Sequence, residues 1–175
     1  GAAVAGAALM SVAPFAGAGR PIMANYIPVL DEPVFLAGLI LFAAGVTLVV
    51  LRGMATVPRV GVLLDGGGAL RFGLNTSLVS AAVALLAFGW SYLAAPSGLD
   101  PKAYYELLFW GGGHVLQFTW TLLMLVAWLW LAQAAGAPAP LTARTVVLLF
   151  GIGLASVFLT PVIYLAYDVG TVEHH

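Results

Sequence analysis

Long apolar runs, separated by short clusters of polar residues, glycine and proline, set the pattern of this chain. A bilayer-spanning helix needs about 20 mostly apolar residues. Five runs approach or exceed that length, and they predict helices over residues 1–17, 33–51, 72–94, 102–132 and 142–167. The first is short and rich in Ala and Gly. It begins at Gly1 already inside the apolar run, as a helix with its start missing would, and no basic segment or cleavage motif marks a signal peptide. The predicted fold class is all-α, a polytopic transmembrane helical bundle in one domain.

Local signals place the ends. Asp31-Glu32 precedes Pro33, which suits a first helical turn, and acid there complements the helix dipole. Asp100-Pro101 is a similar start. The fourth run is long enough that its helix must tilt or project beyond the hydrocarbon. Pro161 removes one backbone hydrogen bond from the fifth and predicts a kink. Gly151 and Ala155 predict close helix packing there. The longest linker holds Gly66-Gly67-Gly68. Without a following Lys-Ser/Thr, this triplet predicts a flexible turn rather than a phosphate loop.

Composition strengthens the membrane reading. The 175 residues are 62% hydrophobic and 7% charged, against roughly 25% charged in a soluble domain. Mean hydropathy is +1.06. A net charge of −1 gives no basic patch for a nucleic acid. With no cysteine, disulfides, thiolate metal sites and cysteine nucleophiles are excluded. Arg52, Arg59 and Arg71 place the 52–71 linker on the cytoplasmic side. Alternation then puts residues 20–32, 96–102 and the tail from Asp168 outside, in a multi-pass protein of a bacterial-type inner membrane.

The chemistry concentrates in the fourth run. His114 lies deep within it, where ionisable residues are costly and face a bundle interior or cavity. Neutral imidazole is also a common metal ligand. Gly111, Gly112 and Gly113 precede it, and each mid-helix glycine costs roughly 1 kcal/mol in water relative to alanine. Three together imply close approach of something bulky, either a neighbouring backbone or a flat porphyrin. Trp110 and Phe118 lie one turn either side of His114 on one face, with Gln117 nearby. A lone intramembrane histidine that merely bonds across helices is the competing reading. Trp128 and Trp130 suit an interface belt. Lys102 and Glu106 suit a hydrated boundary. No hydrolase constellation and no pair of buried carboxylates occurs.

The stretch 106–131, ELLFWGGGHVLQFTWTLLMLVAWLWL, resembles the sixth helix of subunit I of the heme-copper oxidases, a superfamily that includes nitric oxide reductases. There an aromatic, glycine-containing run leads into a histidine that ligates copper, or non-heme iron, opposite a heme. The 148–168 stretch resembles the seventh helix. His174-His175 then stand where the family has two further metal ligands, unless they are the remnant of a purification tag. Residues 20–30 resemble an external loop of divergent subunit-I-like proteins, so the five spans would be helices three to seven. Phe118 stands where the best-known oxidases carry a tyrosine, a departure that resembles the nitric-oxide-reductase and C-type branches.

The resemblance implies part of a catalytic subunit reducing O2 or NO at a heme and non-heme-metal centre in a respiratory membrane. His114 would be the catalytic metal ligand, with His174 and His175 as further ligands. Trp110, Gly111, Gly113 and Phe118 would line the cofactor. Lipid, a cytochrome c or quinol donor, and other oxidase subunits would be its partners. Its rivals are a non-catalytic heme-binding or accessory subunit and a transporter or channel.

Overall fold

The computed structural model describes residues 1–17, 19–56, 65–138 and 141–174. In chain order these form α1 (Ala2–Ala16), β1 (Arg20–Ile22), β2 (Val29–Asp31), α2 (Pro33–Thr56), α3 (Gly66–Ala94), α4 (Pro101–Ala134), α5 (Ala143–Val157) and α6 (Leu159–Ala166). Among the described residues, four helical stretches are long and apolar enough to cross a membrane: Pro33–Thr56, Gly66–Ala94, Pro101–Ala134 and Ala143–Ala166. At 1.5 Å per residue, α4 measures about 51 Å, well beyond a hydrocarbon core of about 30 Å. The first predicted span, α1, has 15 residues and lies along α2. The protein is therefore a multi-pass membrane bundle. Exposed Phe15, Ile40, Leu86, Trp128 and Trp130 suit contact with lipid.

The start signals act as expected. Glu32 accepts the amide of Phe35 at 2.9 Å, opening α2. Asp100 accepts the amides of Lys102 at 3.0 Å and Ala103 at 3.2 Å, opening α4. Thr142 accepts Thr145 N–H at 3.2 Å, opening α5. Lys102 and Glu106 stand 3.8 Å apart on an exposed turn, a spacing of little energetic consequence.

Two expectations are corrected. Gly66-Gly67-Gly68 is not a turn but the first turn of α3. Asp65 makes this possible, because its carboxylate accepts the Gly68 amide at 2.6 Å and outweighs the weak helix propensity of glycine. Helix α3 consequently starts six residues before the apolar run. Gly151 is not at a helix contact, since a Cβ there would meet nothing within 4 Å, and Ala155 is exposed. The close approach falls instead at Gly153, where a Cβ would stand 3.1 Å from Leu122. The structure adds that residues 20–31 form an antiparallel hairpin, with Arg20 opposite Asp31 and Ile22 opposite Val29. It is too short for the hydrophobic pattern to reveal.

Pro161 acts as a break rather than a smooth kink. Having no N–H, it cannot bond the carbonyl of Val157. The helix ends at that residue, Phe158 N–H closes a tighter turn on Ala155 at 3.2 Å, and α6 begins at Leu159.

Paired contacts fix the helix directions. Helices α3 and α4 run antiparallel, shown by Gly73 against Val126, Ser80 against Thr119 and Gly112 against Phe88. Polar contacts between them include a 2.8 Å hydroxyl–hydroxyl bond between buried Ser80 and Thr119, of a type worth about 0.6 kcal/mol in membranes. Helix α5 runs alongside α3, with Phe150 at Gly73 and Val157 among Val83 and Ala84. Helices α1 and α2 pack backbone to backbone through Gly6, Gly38 and Gly45. A Cβ at Gly6 would stand 2.6 Å from the Gly38 carbonyl, so α1 itself would have to shift. Gly6→Ala is expected to cost about 1–2 kcal/mol of packing, read as faster amide hydrogen exchange confined to α1.

Candidate functional site around His114

Three loop regions gather at one end of the bundle. They are the 20–31 hairpin, the 95–100 turn and the segment after α6, where Gly170 lies against Pro96. His114, about 20 Å along α4 from Pro101, faces this end. The hairpin is anchored there by Ile22 and Val29, which pack on Phe109.

The glycine triplet finds its explanation in aromatic rings of this chain. A Cβ on Gly111 would strike the hydroxyl of Tyr164 from α6, and one on Gly112 would strike the ring of Phe88 from α3. One on Gly113 would lie 2.6 Å from the ring of Tyr26 in the hairpin. Three elements thus press one ring each onto bare backbone. The space expected for a neighbouring backbone or a porphyrin at these glycines is filled from within. Phe88 also meets Phe109 edge-on at 6.1 Å, a favoured aromatic geometry.

The imidazole of His114 is held from two sides. Its Nδ1 lies 2.9 Å from the carbonyl oxygen of Trp110. A carbonyl can only accept, so Nδ1 carries the proton and Nε2 carries the lone pair. The Tyr26 phenol oxygen is 3.0 Å from Nε2 and 2.8 Å from Nδ1. Burial raises the Tyr26 phenol above its ordinary pKa, so it is neutral near pH 7 and rests against the imidazole, nearly equidistant from its two nitrogens. Trp110 packs on the imidazole at 4.2 Å between ring centres, and Tyr26 at 5.3 Å. Tyr26 has φ 65, the left-handed region, a conformation that costs a side-chain-bearing residue about 1–3 kcal/mol.

A second polar cluster lies beside Gly111. Tyr164 and Ser91 share a 2.7 Å hydroxyl–hydroxyl bond. His174 is buried and meets the Tyr164 ring edge-on at 4.5 Å and 88°. Trp90 covers Tyr164 from the other side at 5.4 Å.

The structure therefore joins Trp110 to His114 and brings Gly111 and Gly113 beside Tyr164 and Tyr26. Phe118 is 41% exposed on the open side of α4. His174 joins the Tyr164 cluster, and His175 lies outside the described residues. Among the described residues, no three His, Cys, Asp or Glu side chains gather as a metal site. What they supply toward a metal is one imidazole with its Nδ1–H tied to a carbonyl, the arrangement that orients histidine ligands.

Sequence reasoning missed Tyr26, Phe88, Ser91 and Tyr164. Tyr164 carried a usable signal, being a hydroxyl-bearing residue deep in an apolar run. Phe88 carried none, since nothing sets it apart from a lipid-facing phenylalanine.

A multi-pass bundle with a part-buried histidine held by Trp110 and Tyr26 is the class that these observations define. The chain is 33% identical over 117 residues to an uncharacterized protein of Aquifex aeolicus (strain VF5), covering 67% of this chain and 30% of that protein. It is 31% identical over 125 residues to an uncharacterized protein of Rickettsia prowazekii (strain Madrid E), covering 69% of this chain and 24% of that one. The chain thus spans less than a third of the length of these curated relatives. No protein-family model matches it, and no solved structure does.

Proposed function

We propose that this chain is part of a heme-copper-oxidase-like catalytic subunit that reduces a small gas, O2 or NO, in a bacterial-type inner membrane. The observation that carries the reading is the oriented imidazole of His114, at membrane depth, with its lone pair on Nε2. That nitrogen would hold a non-heme metal, copper or iron. His174, which follows α6 at the same end of the bundle, and His175 would be further ligands. Bound there, the metal would supply an open coordination position for a gas. Trp110 and Phe118 would face the heme from the open side of α4. The residues of this chain would orient the imidazole and exclude water through Trp110, Tyr26 and Phe88.

Arg52, Arg71 and Arg144 lie toward the end opposite His114. Positively charged loops stay cytoplasmic, so the His114 end would face outward, toward a cytochrome c or quinol donor. An optical spectrum of the full-length protein, reduced and then treated with CO, tests the proposal. A Soret band that shifts with CO is expected. Purified protein with no heme would end it.

A non-catalytic accessory role is the second reading, favoured by Phe118, which stands where the best-known oxidases carry a tyrosine. Heme without non-heme metal and without gas turnover would select it.

A further inference from the structure

We infer that the groove between α2 and the α3–α4 pair holds one glycerophospholipid with a zwitterionic head. Its acyl chains lie in the groove, and its ester carbonyls meet the phenols of Tyr104 and Tyr105. The groove encloses about 940 Å³. Its walls meet at two levels and stand apart between them. Toward the C-terminal end of α2, a Cβ on Gly53 would stand 2.9 Å from Leu78 of α3. Toward the other end, Leu36 and Leu39 of α2 pack on the cluster of Ile22, Val29 and Phe109.

Length selects the occupant. The α3 wall runs from Ala81 to Tyr92 and the α4 wall from Tyr104 to Leu116, about 17 and 18 Å at the helical rise. One leaflet contributes half of a hydrocarbon core of about 30 Å. These two walls therefore match the acyl chains of a single lipid, whereas a transmembrane helix needs walls as long as the whole core. Only α2 lines the groove further, to Met54.

The chemistry changes along the groove as it does along a lipid. Away from the tyrosines the lining is hydrocarbon, and the hydroxyl of Thr47 there already donates to the Ala43 carbonyl at 2.8 Å. At the opposite end Tyr92, Tyr104 and Tyr105 line one mouth. The hydrogen-bonded tyrosine hydroxyls among the described residues are those of Tyr26 and Tyr164. The three at the mouth are thus donors open to a ligand, and ester carbonyls are acceptors at the edge of the hydrocarbon. Lys102 and Glu106 lie within one turn of Tyr104 and Tyr105, 3.8 Å from each other and solvent-accessible. A pair this loose loses little by re-pairing. It offers a cation to the phosphate and an anion to the ammonium, which favours a zwitterionic head over an anionic one.

Tyr104→Phe/Tyr105→Phe keeps both rings and removes both donors. The full-length protein is reconstituted in vesicles of phosphatidylethanolamine and phosphatidylglycerol in equal parts, extracted in mild detergent and weighed by native mass spectrometry. One phosphatidylethanolamine per chain is expected to stay bound. Loss of two intramembrane hydrogen bonds predicts about eight-fold weaker retention in the double variant. Tyr167→Phe, an exposed tyrosine outside the groove, should match the unaltered protein. No retained lipid, equal retention by the double variant, or equal retention of phosphatidylglycerol would each overturn the inference. A photo-reactive group placed at Leu86, 67% exposed on the groove wall, should label lipid in the vesicles, and labelling of another protein segment in its place would overturn it as well. None of these readouts involves heme, so this inference and the function proposed above stand or fall separately.

Discussion

His114→Gln in the full-length protein is expected to abolish gas reduction and to release the non-heme metal while leaving the bundle folded. Altering residues that merely support metal ligands costs about 10–100-fold in affinity or activity, and removing a ligand should exceed that range. Glutamine keeps a polar side chain for the Tyr26 hydroxyl, so the site is not left with an orphaned donor. Metal analysis and turnover on the same preparation, with helical content from circular dichroism, check the result. Unchanged metal and turnover would remove His114 from the chemistry and favour the accessory reading.

Gly112→Val is expected to be the most damaging small substitution in α4. Its Cβ would meet the Phe88 ring, which is itself held against Phe109, so the ring has little room to yield. Overpacking of this kind costs about 1–3 kcal/mol, and valine should lie at the upper end. For a chain of this length that corresponds to a fall in Tm of roughly 6–12 °C. Gly151→Val is the matched control in a neighbouring helix. Nothing lies within 4 Å of a Cβ there, and a change within about 0.5 kcal/mol is expected. Equal melting shifts for the two variants would show that the α3–α4 contact is looser than described.

The fold was largely legible because a membrane protein writes its helices as length and apolarity. Residues 33–51, 102–132 and 142–167 fall within or close to α2, α4 and α5–α6. The start signals at Glu32 and Asp100 were readable because each acts on amides two or three residues away. The errors had a common cause. Asp65 overrode three glycines by a side-chain bond that composition does not reveal. Gly151 and Gly153 have the same local sequence character, and only the neighbouring helix decides which meets Leu122.

The site was legible only where one helix carries it. His114, Trp110 and the glycines are written within a few residues of each other. The partners that explain them come from far along the chain, Tyr26 at 88 residues' distance and Tyr164 beyond α5. Three glycines announce that something must approach, but bare backbone does not say what. The answer depended on which rings the hairpin, α3 and α6 deliver, and that is a property of packing.

The α1–α2 pair has a consequence for how the protein is made. Its two helices satisfy each other through glycine-lined backbone contact, and among the described residues α2 is the main partner of α1. Segments made first generally fold first, so this pair can leave the insertion machinery as a finished hairpin. The packing of Tyr164 onto Gly111 must wait until α6 emerges.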